Sequence, residues 1–164
     1  MSLLPKSVRR FRRCKGEKMK IKEIYCITID YSKSFAEMLE VGMYDAVDSR
    51  IIPNHFPINN SGQAKIEIEL VCYPIPMRSD NDLVRNMRQH GLRPATLPEL
   101  LALGAIYPQK AQFTIVALGS IWRSKDDGCR YVPCLIRKGF RRELHLNPWD
   151  YGWEGTDLFA VVRK

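Results

Sequence analysis

Between Lys65 and Tyr73 the chain reads Lys-Ile-Glu-Ile-Glu-Leu-Val-Cys-Tyr. In an extended chain Ile66, Ile68, Leu70 and Cys72 fall on one side and Lys65, Glu67, Glu69 and Val71 on the other. A period of two over eight residues excludes a helix. It predicts a strand with one face on the core and one toward water, the pattern of antiparallel sheets. Pro74 and Pro76 end the strand, because a ladder needs the N–H that proline lacks.

The rest of the chain has to supply partners and cover for that strand. Ile24, Tyr25, Ile27, Thr28 and Ile29 predict another strand over Ile21 to Asp30. Ser34 with Glu37 predicts a capped helix carrying Phe35, Met38 and Leu39 on one face, with Gly42 as its stop. Residues 43 to 64 read as irregular. Ser79 and Asp82 open a second helix over Asp80 to His90, with Leu83, Val84 and Met87 as its apolar stripe. Thr96, Pro98 and Glu99 open a third, which Gly104 ends. The remainder is rich in strands: Phe113 to Trp122 as a central one, then Tyr131 to Arg137, Arg142 to Leu146 and Leu158 to Arg163. Helices in the middle and strands at the end favour an α+β fold, two to three short helices on a mainly antiparallel sheet, over alternating βαβ units.

A chain of 164 residues falls within one domain and needs neither disulfide nor metal to fold. Its net charge of +8 looks like a nucleic-acid signature. Location decides otherwise. Eight of the 26 basic residues and one of the 18 acidic residues lie in residues 1 to 20, so the other 144 residues carry only +1. We therefore expect a disordered basic tail over residues 1–20 and a single α+β domain over 21–164. Five cysteines, an odd number on otherwise apolar strands, suggest free thiols in a reducing, cytoplasmic setting. No apolar run reaches the length of a membrane helix, and no membrane association is expected.

From Gly91 onward the motifs GLRPATLPELLALG, FTIVALGSIW and LFAVVRK resemble, in order, the helix start, the aromatic-ended strand and the closing strand of bacterial C-type-lectin-like domains. The resemblance implies that the C-terminal half has that fold. It covers less than half of the chain. Paired cysteines and the Glu-Pro-Asn and Trp-Asn-Asp calcium signatures are missing, and Asn147-Pro148-Trp149-Asp150 has similar residues in another order, so it does not imply calcium-dependent sugar binding. The stretch from about Lys22 also resembles small uncharacterised proteins of uncultured bacteria, a grouping that brings no function with it.

Catalytic signatures are sparse. Cys134 and His145 fall on neighbouring predicted strands, the minimum for an activated thiol, which makes a cysteine-dependent enzyme one alternative. Cys134 also lies in Val-Pro-Cys-Leu, where a small thiol simply packs. Cys129 and Cys134 are loosely spaced for zinc and lack a second ligand pair, so neither metal nor cofactor is expected. Asp126-Asp127 before Gly128, and Asp80 with Asp82 in a helix first turn, suit turn and dipole chemistry. Phosphate-loop, dinucleotide, metalloprotease and serine-hydrolase motifs do not occur.

The C-terminal segment stands out instead. All three tryptophans lie within 32 positions, among arginines. Aromatic and arginine side chains anchor interfaces. We expect a non-enzymatic binding module whose aromatic and basic surface, built from Trp122, Arg123, Tyr131, Arg137, Arg141, His145, Trp149 and Trp153, meets a protein or small-molecule partner. The runner-up, ahead of the cysteine-dependent enzyme, is nucleic-acid association through Arg9, Arg10, Arg12 and Arg13 of the tail, driven by counterion release.

Overall fold

Eleven residues, Lys20–Asp30, form the first strand, β1. It is followed by α1 (Phe35–Gly42), β2 (Ala46–Val47), β3 (Gln63–Cys72), α2 (Asp80–Gln89), β4 (Leu92–Pro94) and α3 (Leu97–Ile106). Next come β5 (Ile115–Val116), β6 (Trp122–Arg123), β7 (Arg130–Lys138), β8 (Arg141–Pro148) and β9 (Leu158–Arg163). The computed structural model describes residues 19–73, 79–108 and 113–164. The expected basic tail, with Arg9, Arg10, Arg12 and Arg13, lies outside these residues but for Met19 and Lys20, and Lys20 already opens β1.

The strands join one nine-stranded sheet in the order β1-β3-β9-β5-β7-β8-β2, with β4 added beside β9 and β6 beside β7. All pairings are antiparallel except β2 with β8 and β5 with β9. The protein is thus an α+β fold with a mainly antiparallel sheet. The strand expected over Phe113 to Trp122 is in fact two two-residue strands. Leu118 and Gly119 turn between them, and a Cβ on Gly119 would come within 2.5 Å of the Ala95 carbonyl oxygen.

Period-two alternation sends side chains to two cores rather than to one core and water. On one face Tyr25, Ile27, Ile68, Leu70, Leu135 and Leu144 pack with Leu97, Leu100, Leu101 and Leu103 of α3. On the other, Val71, Val116, Val132, Phe159 and Val161 pack with Leu83 and Met87 of α2 and with Trp153. The expected water-facing side of β3 is therefore only half wet. Lys65 and Glu67 are exposed, whereas Glu69 is 1% exposed and accepts from Arg163 Nε of β9 at 3.0 Å. Met19 and Ile21 face the second core and Tyr25, Ile27 and Ile29 the first, because a register shift between Ile21 and Glu23 inserts one residue into β1.

The helix starts follow the sequence reading. Ser34 accepts from the Glu37 amide and Glu37 returns to the Ser34 amide, and Ser79 accepts from the Asp82 amide. The stops differ. Met43, at φ 46°, takes the left-handed position after α1, while Gly42 is the last helical residue. A Cβ on Gly42 would sit 2.2 Å from the Tyr44 ring, and one on Gly104, inside α3, 2.6 Å from the Tyr44 hydroxyl. Tyr44 is thus clamped between two helices. Arg142 of β8 completes the joint, donating through Nη1 to the Gly42 carbonyl at 2.7 Å and through Nη2 to the Gly104 carbonyl at 2.6 Å.

Only a planar fork reaches both carbonyls. Arg142→Ala should cost about 2 kcal/mol, the scale of lost hydrogen bonds to a charged donor. Arg142→Lys should recover less than half of that in urea unfolding.

Candidate functional site

β6 and β7 form a two-stranded ribbon whose pairs are Trp122 with Tyr131 and Arg123 with Arg130. Adjacent pairs point to opposite faces, so the ribbon shows two aromatic rings on one side and two guanidinium groups on the other. The Asp126-Asp127-Gly128 turn that joins the strands fits the sequence reading. Gly128 takes φ 71°, and Asp127 accepts from the Cys129 amide at 2.9 Å and from the Tyr131 hydroxyl at 2.7 Å.

Residues from the irregular segment complete the aromatic side. The His55 ring stacks on Trp122 with centroids 4.2 Å apart and planes 16° from parallel. Arg50 lies over the Tyr131 ring at 4.7 Å, held by a two-point ion pair with Asp48 at 2.9 and 2.7 Å. Hydrogen bonding by that guanidinium holds the Asp48 carboxyl below its ordinary value of 3.8. His55 Nδ1 is 2.7 Å from the Arg50 carbonyl oxygen, so in the neutral ring the proton sits on Nδ1 and Nε2 is an acceptor.

His55 also lines a recess of about 260 Å³ with Tyr31, Asn60, Thr96, Ser120 and Ile121. Ser120 Oγ accepts from the Leu97 amide at 2.7 Å, which leaves its hydroxyl proton to donate elsewhere. Beside these residues the buried Glu99 accepts from Arg93 at 2.9 and 2.6 Å and from the Thr96 amide at 2.7 Å. Burial raises the Tyr31 hydroxyl pKa against a counteracting hydrogen bond to Asn60. The charges around the recess are matched, so it offers neutral donors and acceptors.

The arginine side is different. Arg130 lies over Trp149 at 4.7 Å, and Arg123 Nε donates to the Gly128 carbonyl at 3.3 Å. Both arginines, Trp149 and Asp150 line an open groove of about 460 Å³.

The structure divides the eight expected binding residues. Trp122 and Tyr131 belong to the aromatic side, Arg123 and Trp149 to the groove. Arg137 and Arg141 sit at the far end of the β7–β8 hairpin. There Arg141, Lys138 and His145 converge on Glu143 at 3.5, 3.3 and 2.6 Å, and the hydrogen bond with His145 is the main cause of its lowered carboxyl pKa. Trp153 is a correction to the surface reading: it is 7% exposed, set edge-on to Phe159, and its indole donates to Asp80 Oδ1 at 2.7 Å. Asp80 and Asp150 also exchange backbone-to-carboxylate bonds of 2.7 and 3.1 Å. The large ring closes the second core and anchors its own Gly-rich turn to Asp80.

Cys134 and His145 are direct cross-strand partners, as the cysteine alternative requires. Cys134 is fully buried, however, and burial pushes its thiol far up, away from the thiolate a nucleophile needs. His145 Nε2 is engaged by Glu143. The pair therefore lacks an activated thiol. Among the described residues no cluster of three or more His, Cys, Asp or Glu could hold a metal, and no helix is long and apolar enough to cross a membrane.

No family model, curated protein or solved structure matches this chain. The C-type-lectin-like resemblance stays at the level of the motifs that carry it.

Asp80→Ala should cost roughly 2–4 kcal/mol in chemical denaturation, since it strands the Trp153 indole and the Asp150 amide without acceptors. A depressed acid contributes stability that is full above its unfolded pKa and lost as pH falls through the folded one. The Arg50 clamp should therefore stay closed down to the ordinary 3.8 of Asp48 and release below it, read from the Trp122 indole proton resonance.

Proposed function

We propose that this domain is a non-enzymatic binding module that holds a small ring-bearing molecule in the recess beside Trp122. The observation that carries the reading is His55, which both stacks on Trp122 and lines the recess. Stacked rings at a rim give a planar ligand apolar contact with little entropy to lose. The Ser120 hydroxyl can donate to its polar edge, while His55 Nε2 can accept from it. A few convergent polar groups beside an aromatic wall are what small-molecule sites generally need. An uncharged ligand fits better than a charged one, because Glu99 and Arg93 already neutralise each other.

Saturation-transfer NMR with uncharged, ring-bearing fragments tests this. Hits should shift the Trp122 indole resonance, and His55→Ala and Asn60→Ala should weaken them at least tenfold while melting changes by only a few degrees. Hits that bind both variants unchanged would place the ligand elsewhere. If no fragment shifts Trp122, the reading fails.

A further inference from the structure

The β6–β7 ribbon places Arg123 and Arg130 directly opposite each other. Like charges in register across two strands repel and destabilise the pairing. Several other arginines of this fold have a carboxylate partner: Arg50 has Asp48, Arg93 has Glu99, Arg163 has Glu69. Among the described residues no carboxylate forms a close ion pair with Arg123 or Arg130, although the buried Asp80 carboxylate is near enough to Arg130 to feel its charge. Asp127, the acid on the connecting turn nearest to hand, is turned away to Cys129 and Tyr131. Asp150 shares the groove, but its Oδ1 is taken by the Asp80 amide.

Each guanidinium also has a local contact that orients it. Arg130 is laid on Trp149, and Arg123 is tied through Nε to Gly128, which leaves its two terminal amino groups to donate. Two positioned forks suit a tetrahedral oxyanion, whose several oxygens can accept from both at once. We infer that the groove over Arg123 and Arg130 is a binding site for a phosphoryl group, with Trp149 as the apolar wall beside it. The site is on the opposite face of the ribbon from the recess and does not depend on it. Asp150 at its edge makes the affinity moderate and salt-sensitive.

NMR of the full chain at constant ionic strength tests the inference, with chloride as reference. Inorganic phosphate should shift the Nε–H resonances of Arg123 and Arg130 and the Trp149 indole together, saturating in the millimolar range. Arg123→Gln and Arg130→Gln should each weaken it at least fivefold, while Arg137→Gln, at the distant hairpin tip, should leave it unchanged. Phenyl phosphate and oligothymidylate should compete for the same site. Tighter phenyl phosphate would identify the source as a monoester, and tighter oligothymidylate as a nucleic-acid backbone. Equal shifts with chloride, or phosphate binding that survives both glutamine variants, would overturn the inference. So would oligothymidylate binding that phosphate does not displace.

Discussion

Burial of β9 on both faces is the constraint on which the fold rests. Leu158, Ala160 and Val162 enter one core while Phe159 and Val161 enter the other, and β3, β4 and β5 flank the strand. A strand without a wet face leaves each side of the sheet in need of a cover. α3 and α1 supply one; α2 and the turn holding Trp153 supply the other. The Arg163–Glu69 ion pair closes the same strand at its end, where the second core meets solvent. Without that double cover the nearly continuous apolar sequence of β9 would have no environment matching it.

The sequence makes the elements more legible than their cover. Period-two alternation locates β3, and the Ser34–Glu37 and Thr96–Glu99 spacings locate the starts of α1 and α3, because those signals are local. What hid the second core was Glu69, whose partner Arg163 stands 94 positions away. The apolar run from Phe113 looked like one strand because composition does not show that Gly119 must fold against the Ala95 carbonyl. Gly42 and Gly104 looked like helix stops, and are instead the space into which Tyr44 packs.

About half of the candidate site could be read in advance. Trp122, Arg123, Tyr131 and Trp149 do cluster, since a short hairpin keeps near neighbours together. Arg50 and His55 were missed because they come from an irregular, proline-punctuated segment that shows no period. Their one local signal is Asp48, two residues ahead of Arg50, which makes the clamp. Trp153 was drawn to the surface by its glycine neighbours, and only the buried Asp80, 73 positions earlier, accounts for its place. The strict alternation of a two-stranded ribbon then separates rings from charges, with Trp122 and Tyr131 on one face and Arg123 and Arg130 on the other.

The Arg142 fork also has a kinetic meaning. The β7–β8 hairpin is a local structure, and hairpins of this kind close within microseconds. Its Arg142, however, bonds to Gly104 across 38 positions and to Gly42 across 100. Contacts so distant wait on the ordering of the intervening chain. The hairpin ladder joins near neighbours in sequence, whereas the bonds from Arg142 to the carbonyl ends of α1 and α3 close much longer loops. One guanidinium thus ties a local hairpin to two helix ends that lie far from it in sequence.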